Sequence, residues 1–289
     1  MTRRDCFRTA AGVALAAQVS TLKAAAKGRF HPAICAYSFR NQLKAGTMTY
    51  ADIVKMAAET GCDGVDLTTY WLADTNDETL LPLRRQAFRA GIAIYNIGVR
   101  VRLAQPTAEL QAAELETVRK WVDVADRVGA SVMRIFGGAV PKGATEEQAI
   151  GWAAETLKRA GEIAGKRGVT LGVEDDGGIT TNAGPTVAIV KRAASPWAGI
   201  NLDIGNFPDD GYAQIEMCAP YATTVHFKTA VHVNKQKEPA DWPRVLSILG
   251  AAGYKGYLAL EYEEETDPVN VVPKLIAKMR DTIAAYQSR

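Results

Sequence analysis

Short apolar runs alternate with longer amphipathic stretches along the chain from residue 29 onward. The apolar runs read as strands over 33–38 (AICAYS), 64–68 (GVDLT), 92–98 (IAIYNIG), 131–136 (SVMRIF), 169–174 (VTLGVE), 199–204 (GINLDI), 223–228 (TTVHFK) and 257–262 (YLALEY). Between them apolar residues return at three- and four-residue steps. Leu115, Val118, Val122 and Ala125 are one such stripe, the spacing of a helix with one buried face. Thr145 followed three residues later by Gln148 spells a capping box. Gly61, Gly91, Gly129, Gly168 and Gly253 each stand just before a strand, where a helix C-cap favours positive φ. Strands apolar on both faces and separated by helices predict a parallel sheet covered on all sides. Eight such units in 289 residues predict an α/β chain folded as one (β/α)8 barrel, a TIM barrel, over residues 27–289. The alternative is an open doubly wound sheet, but no GxGxxG or P-loop follows the first strand, and no Pro/Gly/Ser-rich linker divides the chain.

Residues 1–26 stand apart from this rhythm. Arg3 and Arg4 precede Phe7 and an Ala-rich run that ends in Ala24, Ala25 and Ala26, the pattern of a twin-arginine export signal with a small-residue cleavage site. The run is too short and too interrupted to span a membrane. A periplasmic or exported protein is therefore expected, the other reading being a basic N-terminus on a cytoplasmic one. Removing residues 1–26 takes the net charge from +2 to −1, so the apparent basicity belongs to the signal. No concentrated basic face remains for nucleic acid. Cys35, Cys62 and Cys218 form no disulfide framework and no CxxC pair, and read as small buried residues.

The chemistry gathers at strand ends. The stretch VTLGVEDDGG drives an apolar strand into Glu174, Asp175 and Asp176. An uncompensated charge there is costly unless a cation offsets it. Asp203 in NLDIGN, His226 in TVHFK and Glu261 in LALEYEEE occupy the same place on the next three strands. Successive separations of 29, 23 and 35 residues are each about one βα unit, so the four side chains can converge at the C-terminal mouth of a barrel. Three carboxylates and one imidazole suit a divalent ion such as Mn²⁺, Mg²⁺ or Co²⁺, with Zn²⁺ less well matched to so much oxygen. Asp175 and Asp176 read either as groups supporting a ligand or as loop acids facing water. Tyr70 and Trp71, after the second strand, read either as a stacking surface for a sugar ring or as plain aromatics of the rim.

On GVEDDGG, LDIGN, VHFK and ALEYE the chain resembles the xylose-isomerase-like barrel superfamily, the sugar phosphate isomerase/epimerase group. The resemblance implies that Glu174, Asp203, His226 and Glu261 bind one divalent metal, and that Glu174 and Glu261 also shuttle a proton on opposite faces of a ketose. It further implies substrate contacts from Asn206, Lys228, His232 and Arg134, a structural salt bridge being the other reading for Arg134. Two departures fall in the mouth: Glu-Asp-Asp-Gly-Gly replaces the common Glu-Asn-His-Gly-Gly, and Thr229 replaces an Asp after His-x-Lys.

The expected function is a metal-dependent isomerase or epimerase of a keto-sugar or related polyol, working through an enediolate, with a sugar as its partner and homo-oligomerisation left open. The alternatives are a lyase or dehydratase of an oxidised sugar or keto-glycoside, and a non-catalytic sugar-binding barrel. No glycine-rich phosphate cradle follows the seventh or eighth strand. An apurinic-site endonuclease would need a histidine-rich zinc site, and His31, His226 and His232 are the only histidines.

Overall fold

The computed structural model of the protein describes residues 29–288; the candidate export signal of residues 1–26 lies outside the described residues. Eight parallel strands close into a barrel in the order β1-β10-β7-β6-β5-β4-β3-β2. They are β1 (Phe30–Cys35), β2 (Gly64–Thr68), β3 (Ala93–Arg102), β4 (Val132–Phe136), β5 (Thr170–Glu174), β6 (Ala198–Asp203), β7 (Ala222–Phe227) and β10 (Gly256–Leu260). Between β7 and β10 an antiparallel hairpin, β8 (Ala230–Val233) and β9 (Gln236–Pro239), rises from the rim. Its two-residue turn places Asn234 and Lys235 at φ 51° and 60°, as a tight hairpin requires.

Nine α-helices are present among the described residues: α1 (Arg40–Ala45), α2 (Tyr50–Glu59), α3 (Asp77–Ala90), α4 (Ala108–Val128), α5 (Glu146–Gly165), α6 (Ala183–Ala193), α7 (Gly211–Cys218), α8 (Trp242–Ala251) and α9 (Pro268–Gln287). The stripe of Leu115, Val118, Val122 and Ala125 is the buried face of α4. Thr145 and Gln148 form the capping box that starts α5. The five glycines before strands all hold φ between 68° and 89°.

One apolar core fills the layer between sheet and helices, and a second, smaller one lies inside the barrel. There Tyr95 stacks on Tyr257 with ring centroids 3.9 Å apart, and Ala33, Cys35 and Ala259 leave them room. Both tyrosines stand near the starts of their strands, so the pair plugs the N-terminal half and the opposite end stays free for polar groups. Cys35, Cys62 and Cys218 are all free and buried.

The element ends differ from the sequence reading in two places that shape the mouth. β1 stops at Cys35 and residues Ala36–Phe39 turn as a 3-10 helix, because the Ser38 hydroxyl donates to Leu260 O and accepts from Tyr262 N, tying the chain to β10. β3 runs on to Arg102, four residues beyond the expected Gly98.

Candidate metal and catalytic centre

Glu174 ends β5, Asp203 ends β6, His226 is one residue from the end of β7, and Glu261 directly follows β10. Parallel pairing sets Asp203 beside His226 and Glu174 beside Asn201, whose amide donates to Glu174 Oε1 at 3.2 Å. One ligand atom from each of the four lies within 4.8 Å of the other three, and all four residues are buried. His226 Nδ1 is 2.8 Å from Glu174 Oε1, 3.1 Å from Glu261 Oε2 and 3.7 Å from Asp203 Oδ2.

The other ring nitrogen decides what Nδ1 can do. His226 Nε2 sits 2.8 Å from Asp66 Oδ2, and a carboxylate accepts, so Nε2 carries the proton of the neutral ring. Asp66 is itself held by the Asn96 amide at 2.7 Å. Nδ1 then turns a lone pair toward the three carboxylates. Both Nδ1 and Asp203 Oδ2 are buried without a hydrogen-bond partner. Orphaned acceptors aimed at one point are what a divalent cation satisfies, and a carboxylate-oriented imidazole is its usual partner. The residues therefore fit such an ion.

In the ion-free chain the electrostatics favour a proton on Nδ1, in the place a cation would take. Burial alone would lower the His226 pKa, but the Glu261 carboxylate and its neighbours push it well above the usual range. Burial raises Asp203 to about 6, with Lys228 pulling the other way. Burial also opposes charge on Glu261, yet Lys228 and His226 overcome it and hold that carboxyl well below the ordinary range. Lys228 Nζ lies 3.2 Å from Asp203 Oδ2 and 3.3 Å from Glu261 Oε2, and also meets Glu263. Arg134 Nε lies 3.3 Å from Glu174 Oε2. Each glutamate thus has its own cation, Arg134 being buried and Lys228 partly so.

A cavity of about 480 Å³ reaches Glu174 and Glu261. Arg134, Asn206, Lys228 and Tyr70 line it; Trp71 and His232 do not. Trp71 packs behind, against Tyr37 and Tyr70 at 5.9 and 5.7 Å between centroids. His232 stands on β8 opposite Lys237. Asp175 is buried and accepts from Asp203 N at 2.7 Å, which fixes the backbone that presents Asp203; Asp176 lines the cavity. Two glycines make this wall feasible. A Cβ on Gly98 would sit 2.7 Å from the Arg134 guanidinium, and one on Gly178, at φ 56°, would sit 2.2 Å from Gly138 O.

The sequence reading passed over several contributors. Asp66 is a lone acid in the apolar run GVDLT, a signal visible in the sequence but without a partner to interpret it. Arg100 and Arg102 also line the cavity, in a VRVR alternation that is itself a strand pattern. Cys35 places its thiol 3.6 Å from Glu261 Oε1, a contact no spacing rule would suggest.

The chain is similar to several known proteins. An L-ribulose-5-phosphate 3-epimerase of Escherichia coli is 27% identical over 265 residues, covering 82% of this chain and 89% of its own length. A xylose isomerase domain protein from Alicyclobacillus acidocaldarius shares the fold with a TM-score of 0.69 at 17% identity, over 90% of this chain and all of that one. A D-psicose 3-epimerase from Clostridium cellulolyticum, solved with D-tagatose, gives 0.67 at 13% identity, over 89% and 96% of the two chains. The sequence profile of the Xylose isomerase-like TIM barrel family matches residues 54–282, and the chain belongs to that family.

Proposed function

We propose that the protein is a divalent-metal-dependent isomerase or epimerase that moves a proton beside the carbonyl of a keto-sugar or related polyol. The observation that carries this reading is the pair Glu174 and Glu261. Both approach the same nitrogen of His226, Nδ1, both border one cavity, and each is backed by a separate cation. A sugar-binding barrel would need neither a second buried glutamate nor its counter-ion. The epimerase relatives support the same substrate class.

A cation held by Glu174, Asp203, His226 and Glu261, Mn²⁺ being favoured, would supply charge stabilisation for the substrate oxygens as the C–H bond breaks. Proton movement falls to the two glutamates. One carboxylate takes the proton from the carbon next to the carbonyl, and the other returns a proton to the opposite face. Lys228 helps keep Glu261 available as a carboxylate between turns, and Arg134 holds the Glu174 side chain in place at 3.3 Å. Asn206 and Tyr70 stand on the cavity wall, where they hold hydroxyl groups and a ring face of the sugar.

The test is deuterium uptake from heavy water, followed by proton NMR on D-fructose, D-tagatose, D-psicose and L-ribulose with the Mn²⁺-loaded chain. Uptake at the carbon next to the carbonyl is the expected result. No uptake in any of these, nor in their phosphorylated or oxidised forms, would overturn the reading. A deoxy-keto product in place of a labelled epimer would move the protein to the lyases.

Asp66 gives a second check through the ion alone. Asp66→Asn is expected to weaken Mn²⁺ binding by about 10–100-fold, the cost of losing a group that orients a ligand. Calorimetric titration of the folded variant measures this, and an unchanged affinity would mean that the imidazole is oriented by its packing instead.

A further inference from the structure

β3 is twice as long as β4, with ten residues against five. Its overshoot reads Val99, Arg100, Val101, Arg102, and strand alternation sends the two kinds of residue to opposite sides. Val99 and Val101 are fully buried, while both arginines are exposed and line the cavity. Every other cation on that wall has an acid beside it: Arg134 has Glu174, and Lys228 has Asp203, Glu261 and Glu263. Arg100 and Arg102 have no carboxylate within 4.0 Å among the described residues. Glu114, the acid nearest in effect to Arg102, instead accepts from the Gln105 amide at 3.2 Å.

Arg100 is nonetheless held in place. Its guanidinium carbon lies 3.8 Å from the centroid of the Tyr70 ring. The Tyr70 hydroxyl accepts from Arg134 Nη1 at 2.8 Å, and Arg134 in turn meets Glu174. This contact holds Arg100 at two side chains' remove from a reacting carboxylate. A guanidinium resting over an aromatic face still has N–H donors free for a planar or tetrahedral oxyanion.

We propose that Arg100 and Arg102 form an oxyanion subsite, and that the substrate is an acidic keto-sugar bearing a phosphate or carboxylate at the end remote from the reacting carbonyl. The proposal rests on the isomerase reading above and narrows it. A neutral ketose would leave two cavity-lining guanidiniums with no anion to bind.

Three ketoses that differ only at carbon six decide it: D-fructose, D-fructose 6-phosphate and D-fructuronate. Titrated calorimetrically into the full Mn²⁺-loaded chain, at least one acidic form is expected to bind about tenfold tighter than D-fructose or better, the factor one charge-assisted hydrogen bond supplies. Whichever acid gains more identifies the anion. That preference should shrink toward unity in Arg100→Gln/Arg102→Gln, shrink partway in Arg102→Gln alone, and weaken in the wild-type chain as NaCl is raised. Equal affinity for the three sugars, failure of all three to bind, or a preference that survives in the double variant would overturn the proposal. Deuterium uptake on the same three sugars separates the two readings. An arginine-dependent preference without exchange keeps the subsite and removes the isomerase. Exchange into D-fructose with no acidic preference does the reverse.

Discussion

Glu261→Gln is expected to lower epimerisation by about 10²–10⁴-fold, the usual contribution of a positioned base, while leaving one of the two epimers able to exchange its proton with solvent. The reasoning is geometric. If Glu174 and Glu261 serve opposite faces of the sugar, each is the base for one epimer and the acid for the other. Removing one leaves its own epimer inert, whereas the remaining glutamate still takes the proton from the second epimer and gives back a solvent proton on the same face. Glu174→Gln should show the mirror pattern. Deuterium wash-in from each epimer separately, in variants whose metal content has been measured, reads this directly. Loss of exchange from both epimers in only one variant would mean a single base. The crossed pattern requires two, and no effect on substrate affinity alone could produce it.

The second large effect concerns the ion. The purified chain is expected to hold about one divalent cation, and Asp203→Asn and His226→Ala are each expected to weaken its binding by more than the roughly 10–100-fold typical of a supporting residue. Three carboxylates converge here on His226 Nδ1, so with neither a cation nor a proton at that point the site is repulsive. Chelation should lower the melting temperature of the wild-type chain and leave that of His226→Ala nearly unchanged. The pH dependence has a definite sign. The same carboxylates raise the His226 pKa well above its ordinary range, so in the metal-free chain Nδ1 competes for a proton. Loading expels that proton, and affinity therefore falls as pH falls, by up to about tenfold per unit. Elemental analysis and calorimetry at two pH values check both statements. Equal metal content in wild type and variants would remove the quartet as the site.

Much of this architecture is legible in the sequence, for reasons that particular residues expose. GVDLT is a strand at its expected bounds because apolar β-branched content and flanking turn residues agree. The quartet stands out because each member interrupts an apolar strand at its end, where a local rule suffices. Strand β1 begins and ends three residues earlier than its sequence suggests, because Tyr37 and Ser38 look like strand residues, whereas Ser38 is committed to the backbone of β10, 222 residues away. Strand β3 was read too short because arginine is a poor core residue, although two valines in alternation carried the strand onward. The hairpin was missed because β9 is exposed along its whole length and offers no apolar period. Asp66 and His226, 160 positions apart in the sequence, meet across the barrel, and no pattern along the chain encodes such a contact. Trp71 and His232 are candidates by position alone, and neither lines the cavity: one packs against Tyr70, the other stands on the hairpin.

The order in which the barrel closes has a temporal consequence. β10 lies between β1 and β7, so the strand made last is inserted beside the strand made first. Glu174, Asp203 and His226 all precede it, and Glu261 arrives only with it. A chain still emerging from the ribosome thus carries three of the four side chains, together with the sheet edges of an open barrel. Only closure of the seam brings all four together, so the complete quartet exists in the closed barrel and at no earlier stage of synthesis.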